Sequence, residues 1–179
     1  MTRESIVLRL ATPSDAPLLR QWDEQPHAQA SDPDSDWGWE TELQTNPDWR
    51  QQLIAERAGK AFGFLQVMDP AGDPDRYWGD VDRHVRAIDI WIGPEDHLGR
   101  GYGSEMMRQA LARWCFAAPE VVAVLIDPLL SNTRAHRFYR RLGFAAVGER
   151  WFDEDHCLVH ELTRDAWQAQ PTNDRGAAS

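Results

Sequence analysis

Asn132-Thr133-Arg134-Ala135-His136-Arg137-Phe138-Tyr139-Arg140-Arg141-Leu142-Gly143-Phe144 is the stretch from which the rest of the chain can be ordered. It reads as a helix over Asn132–Leu142. Glycine after the last turn takes the left-handed conformation that stops a helix. Just upstream, Val121–Ile126 is a continuous apolar run ending at Asp127-Pro128, the pattern of a buried strand. Downstream, Phe144–Trp151 and Cys157–Thr163 are two more strand-like runs around the acidic turn Asp153-Glu154-Asp155.

Further upstream lies Leu98-Gly99-Arg100-Gly101-Tyr102-Gly103-Ser104, opening a helix that runs to about Phe116. Met106, Met107, Ala110, Leu111 and Trp114 would share its inner face. The glycines let the backbone approach a ligand with its N–H groups outward, and a helix N-terminus favours phosphate. Alone, this piece reads equally as a tight turn packed through glycine, since neither GxGxxG nor GK[ST] is present.

Ahead of it stands the strand Val85–Ile92, with Asp89 inside its apolar run. A buried carboxylate costs several kcal/mol unless paired or solvated. Asp89 is therefore either a structural acid with a partner such as Arg86, or a carboxylate facing a cleft. Trp49–Ala58 and Ala61–Met68 read as two strands joined at Gly59-Lys60, a hairpin signal. Residues 69–82 form a long Pro-, Gly- and Asp-rich loop around Tyr77 and Trp78. At the N-terminus, Ile6–Leu10 alternates as a strand. Thr12-Pro13-Ser14-Asp15 then starts a helix to about Asp23, with Leu18, Leu19 and Trp22 inward. Residues 24–48 read as a loop with a short helix near Glu40–Gln44. The whole is an α/β protein with a mixed sheet, antiparallel strands first and helical crossovers later. A single domain over residues 1–163 and a frayed polar tail over 164–179 are expected.

Composition narrows function. Among 179 residues, Lys plus Arg is 19 and Asp plus Glu 29, a net charge of −10. Nucleic acid and anionic membranes need a basic face, so both are disfavoured, and a cationic partner is permitted. No apolar stretch approaches a membrane span, and the N-terminus lacks a signal-peptide pattern. Cys115 and Cys157 lack metal spacing and read as buried thiols in a reducing cytoplasm. Nine tryptophans exceed what a core of this size needs, and some could line a groove.

The patterns N-x-x-A-x-x-x-Y-x-x-x-G-F and L-G-x-G-x-G are separated by one helix and one strand. Together they resemble the GNAT superfamily of N-acetyltransferases, over about residues 6–163. The usual Gln or Arg at the first glycine-motif position is Leu98 here. The resemblance implies transfer of acetyl from acetyl-CoA to an amine, with no metal. It implies a central strand, Val85–Ile92, that splays from its neighbour. The backbone of Ile90, Trp91 and Ile92 would pair with pantetheine. Leu98, Gly99, Arg100, Gly101, Tyr102, Gly103 and Ser104 would cradle pyrophosphate. Asn132 and Ala135 would face the cofactor. Tyr139 would protonate the departing thiolate, its alternative being an aromatic that packs the helix face.

Within the superfamily, the chain is most similar to bacterial aminoglycoside 6′-N-acetyltransferases. The matching segments are Val85-Arg86-Ala87-Ile88-Asp89, the glycine motif, and Ile126-Asp127-Pro128-Leu129-Leu130-Ser131-Asn132-Thr133-Arg134-Ala135. That similarity implies an antibiotic-resistance enzyme in which Asp89 and Asp127 contact the amino sugar, and Asp89 orients or deprotonates the amine. Tyr77 and Trp78 resemble the aromatic pair before the central strand. A polycationic sugar with apolar faces suits carboxylates beside aromatic platforms. Candidates are Asp32, Asp34, Asp36, Trp37, Trp39, Asp73, Asp75, Tyr77, Trp78, Asp80, Asp153, Glu154 and Asp155. Many of these carboxylates read equally as solvated loop charges, and Trp37 and Trp39 equally as a lid packed on the core. The runner-up acceptor is a hydroxylysine-type siderophore precursor or other small polyamine. From another class, the chain would be a non-catalytic CoA-binding module. A monomer or homodimer is expected.

Overall fold

The computed structural model describes residues 5–33, 37–45 and 47–171. In chain order the elements are β1 (Ile6–Leu10), a 3₁₀ turn (Pro13–Asp15), α1 (Ala16–Asp23), α2 (Pro26–Gln29), α3 (Trp39–Glu42), β2 (Arg50–Arg57), β3 (Lys60–Met68) and β4 (Val85–Ile92). They continue with α4 (Tyr102–Ala110), β5 (Ala123–Ile126), α5 (Thr133–Arg141), β6 (Ala145–Phe152), β7 (Asp155–Thr163) and α6 (Arg164–Ala169). The seven strands are bonded in the order β1-β2-β3-β4-β5-β7-β6. Only β4 and β5 run parallel among the registered pairs, as expected where a helix connects two strands.

The chain divides into two compact units: residues up to Gln66 with Asp89–Met107, and Val67–Ile88 with residues from Arg108 onward. In the first unit, Ala16, Leu19 and Trp22 of α1 pack with Trp39, Leu43, Ile54 and Phe64. The helix start is held by Asp15, whose carboxylate takes Arg9 at 2.7 Å and the Thr12 amide at 2.8 Å. The β2–β3 turn is Ala58-Gly59, at φ +52° and +72°. Two left-handed residues make the tight turn whose twist matches a hairpin. The turn thus falls one residue earlier than Gly59-Lys60. Gly93 has no room for a side chain, since a Cβ would lie 2.1 Å from the Trp22 ring.

In the second unit, Trp78, Ala87, Phe152, Cys157 and Val159 form a core cluster. The α4 helix continues as a π-helical turn over Leu111–Cys115, reaching the expected end near Phe116. Helix α5 is capped at both ends. Asn132 Oδ1 accepts the Ala135 amide at 3.1 Å. The Phe144 amide returns to the Tyr139 carbonyl and the Gly143 amide to the Arg140 carbonyl, both at 3.1 Å, with Gly143 at φ +91°. Those two bonds define a Schellman motif, and the Tyr139–Phe144 ring contact at 5.8 Å is its apolar clasp.

Residues 164–170 depart from the expected frayed tail. Thr163 caps α6 through the Ala166 amide, and Trp167 is buried against Phe116, the rings 5.7 Å apart. The Arg164 guanidinium gathers the carbonyls of Val121, Phe116 and Ala118. One buried indole and one chelating arginine dock a six-residue helix that its polar composition hides. The tail beyond Pro171 lies outside the described residues.

Candidate active site

Strand β4 carries Asp89 at its middle. The parallel register with β5 comprises Val85–Ala87 against Ala123–Leu125, while β4 runs on to Ile92. Asp89 Oδ2 accepts from Gln66 Nε2 at 2.6 Å, and Gln66 on β3 is 2% exposed. Gln66 Oε1 is itself buried with no hydrogen-bond partner. Arg86, the partner weighed for Asp89 from sequence, instead reaches Asp69 at 3.8 Å and the Val85 carbonyl at 2.9 Å. Asp89 is therefore a half-buried carboxylate steadied by a neutral amide. A neutral amide N–H orients the carboxylate without adding a charge of its own. Nothing in the sequence flagged Gln66, because its pairing depends on β3–β4 register.

Beyond Asp89 the strand is half-buried at Ile90, Trp91 and Ile92. The Ile92 carbonyl is already used: His27 Nε2 lies 2.8 Å from it. A carbonyl only accepts, so His27 is protonated at Nε2. The Ile92 carbonyl thus already accepts one hydrogen bond within the chain, and its oxygen can accept a second. His27, on the unforeseen helix α2, carries no spacing signal. Trp91 packs against Phe64 at 4.5 Å and Trp37 at 5.6 Å.

At the glycine motif, Gly99 and Gly101 have φ +72° and +84°, and nothing lies within 4 Å of where a Cβ would stand. Glycine is thus required by backbone conformation, and the space beside it is open. Leu98 is half-buried, Arg100 exposed, and α4 begins at Tyr102. The amides of Tyr102, Gly103 and Ser104 are in the first turn, where helical partners are lacking and the helix dipole is positive. This arrangement fits a phosphate. Tyr102 is anchored by Arg57, whose Nη1 donates to its hydroxyl at 2.8 Å.

In the second unit, Asp127 follows β5 and accepts from the Tyr77 hydroxyl at 2.7 Å. Burial pushes the Asp127 pKa up, and the Tyr77 hydrogen bond opposes this. Tyr139 is 6% exposed among Phe138, Phe144 and His160. Asn132 spends its carbonyl oxygen on the helix cap, and Ala135 is the residue so capped.

The remaining candidates separate by burial. Trp39 is 2% exposed, stacked on Trp37 at 5.2 Å, with its indole N–H on Asp23. It packs the core, the second of its two sequence readings, and Trp37 is half-buried above it. Trp78, expected as a platform, is 4% exposed and packs edge-on against Phe152; Tyr77 is the exposed member of that pair, at 45%. Asp73 serves its own loop, accepting the Asp75 and Tyr77 amides at 3.1 Å each. Asp32, Asp75, Asp80, Asp153 and Glu154 are exposed, and Asp155 is half-buried. Asp34 and Asp36 lie outside the described residues. Among the described residues, no cluster of His, Cys, Asp and Glu could hold a metal, and no helix is long and apolar enough to cross a membrane. Cys115 and Cys157 are free and buried, and burial pushes both thiols up to about 12.

Comparison with known proteins is consistent in direction. The profile of the acetyltransferase (GNAT) domain matches residues 11–152. The chain is 29% identical to an aminoglycoside N(6′)-acetyltransferase type 1 from Klebsiella pneumoniae, covering 93% of this chain and 87% of that protein. It is 25% identical to the lysine N-acyltransferase MbtK of Mycobacterium tuberculosis strain H37Rv, over 79% of this chain and 70% of the relative. Among solved structures, AAC(6′)-Ib in complex with coenzyme A and kanamycin superimposes with TM-score 0.80 at 28% identity, covering 92% of this chain and 98% of that one. With a glycine turn opening α4, a carboxylate-bearing β4 and the matched profile spanning most of its length, the chain belongs to the GNAT acetyltransferase family.

Proposed function

We infer that the protein transfers acetyl from acetyl-CoA to a primary amine of an aminoglycoside, the 6′-amine, by direct attack in a ternary complex. The observation that carries this reading is Asp89, a carboxylate inside a central strand, held by a buried neutral donor. A carboxylate on a central strand is a candidate partner for a cation. The likeness to an aminoglycoside N(6′)-acetyltransferase and to a kanamycin complex supports the acceptor class.

Amines of pKa about 8–10 are mostly protonated near neutrality. Asp89 would bind the ammonium, orient it and draw off its proton directly or through water. Acetyl-CoA supplies the acyl group as an activated thioester. Gly99–Ser104 would hold its phosphates with backbone amides and Arg100. Tyr139 would give a proton to the departing sulfur. Much of the acceleration then comes from holding amine and thioester together. The sequence likeness to a lysine N-acyltransferase favours one second reading, a lysine- or hydroxylysine-type acceptor.

An acceptor panel tests this. Acetyl-CoA turnover is measured with kanamycin and with N-hydroxylysine, and the product position is read by NMR. Acetylation of the kanamycin 6′-amine is expected. Asp89→Asn should lower kcat/KM for the amine by about 100-fold or more and leave CoA affinity unchanged. Turnover of the hydroxylysine compound alone overturns the aminoglycoside reading. Silence with every amine despite CoA binding marks a binding module.

A further inference from the structure

Tyr77 sits on the loop before β4, and several contacts fix it there. Its amide donates to Asp73 Oδ2 at 3.1 Å. Its ring lies flat on Phe152, with centroids 4.6 Å apart and planes 11° from parallel. Trp78, the next residue, is buried edge-on to the same Phe152, and its carbonyl takes Arg150 Nη2 at 2.8 Å. The Arg150 guanidinium in turn lies over the Phe152 ring at 4.6 Å. From this clamp the Tyr77 hydroxyl reaches Asp127 Oδ2 at 2.7 Å. The ring remains 45% exposed, so the contact is made at the protein surface by a residue that could otherwise swing into water.

Such an arrangement is more than packing requires. Phenylalanine would stack on Phe152 as well. The hydroxyl adds one donor, aimed at a carboxylate whose burial favours the neutral acid. We propose that Tyr77 is a positioning residue for acceptor recognition: its hydroxyl holds the Asp127 carboxylate charged and aimed before a cationic amine arrives. This deepens the aminoglycoside reading and rests on it, because Asp127 matters here only as a partner for an ammonium group. The groups facing Asp127 are Tyr77 from the loop, Arg150 from β6, and Asp155 and Cys157 from β7. Arg150 favours the charged form and Asp155 opposes it. The Cys157 thiol, pushed up to about 12, stays neutral in the working range. Tyr77 is the side-chain hydrogen-bond donor to Asp127, beside a backbone hydrogen bond that also favours the charged form, so its removal shifts the balance in the direction of protonation.

The test is the pH dependence of KM for kanamycin with acetyl-CoA saturating. Taking the ratio of Tyr77→Phe to parent cancels the titration of the amines themselves. The variant should fold, since the residue is surface-exposed and the stack is kept. Its kcat should stay within about twofold, while KM rises about tenfold at the acid end of the profile and the ratio to the parent narrows as pH rises, as expected when one charge-assisted hydrogen bond is lost. The same substitution in an Asp127→Asn background should change nothing further. A KM ratio that is flat with pH, or that persists in the Asp127→Asn background, overturns the proposal. Failure of the parent to acetylate kanamycin is a different result: it removes the aminoglycoside reading first, and this inference with it.

Discussion

His160 is fully buried on β7 and belongs to no expected site. Its Nε2 lies 3.0 Å from His136 Nδ1, and His136 Nε2 lies 3.1 Å from the Leu130 carbonyl. The carbonyl fixes a proton on His136 Nε2. In the neutral pair, His136 Nδ1 then accepts and His160 Nε2 donates, so both tautomers are set. Burial, then the charges of His136 and Arg140, push the His160 pKa down to about 4. The unfolded chain takes this proton near pH 6.5, and the folded chain only near 4. Stability is therefore complete above about pH 6.5 and falls as pH drops toward 4, by at most roughly 3 kcal/mol from this group. Thermal midpoints measured from pH 7 to 5 should fall in the parent and fall less in His160→Gln; equal slopes would show that other groups govern acid stability. At this same scale lies much of what the sequence hides. Gln66 is 23 residues from Asp89, and only strand register makes them partners. A tryptophan reads alike as platform or core, so Trp39 and Trp78 could be placed only by their neighbours.

At the scale of elements, the Y-x-x-x-G-F half of the motif has a local explanation. Tyr139, Gly143 and Phe144 are the third-last helical residue, the left-handed residue and the residue after it in one C-terminal cap. That geometry is local in sequence, which is why helix α5 was legible to within a residue at each end. Helix α6 was not, because its docking depends on carbonyls of Phe116, Ala118 and Val121, over 40 residues away. The cap also separates two roles for Tyr139. Tyr139→Phe keeps the clasp on Phe144 and changes only the hydroxyl, so it should cost less stability than the backbone strain introduced at Gly143. If the hydroxyl is the acid, turnover should fall by about 100-fold or more while CoA affinity holds. Gly143→Ala should do the reverse. A side chain at φ +91° is strained, so about 1 kcal/mol or more of stability should go, with little change in kcat at temperatures where the variant is folded. Urea unfolding and steady-state kinetics on both variants separate the roles. Equal destabilisation by Tyr139→Phe would make Tyr139 a packing residue.

For the whole molecule, the long-range field is set by 29 acidic against 19 basic side chains. Asp75, Asp80, Asp153 and Glu154 are exposed, and Asp80 meets Arg76 only at 3.4 Å. Exposed charges of this kind contribute little to stability, yet their summed field raises the local concentration of a multiply charged cation. The direction was legible from composition alone. Which carboxylates touch an acceptor was not, since Asp73 turned out to fold its own loop. Steering and contact can be told apart by salt. Raising ionic strength from 0.01 to 0.15 M shortens the screening length from about 30 to about 8 Å. With acetyl-CoA saturating, kcat/KM for kanamycin should fall by about tenfold or more over that range, with kcat nearly constant. Reversing Asp75, Asp80 and Glu154 together to lysine should flatten the salt slope and leave the high-salt value near that of the parent, because a short-range contact such as the one proposed for Asp89 is screened far less. A parent enzyme indifferent to salt would mean that its acidity serves solubility alone, and that acceptor capture depends only on the few carboxylates held in place by Gln66 and Tyr77.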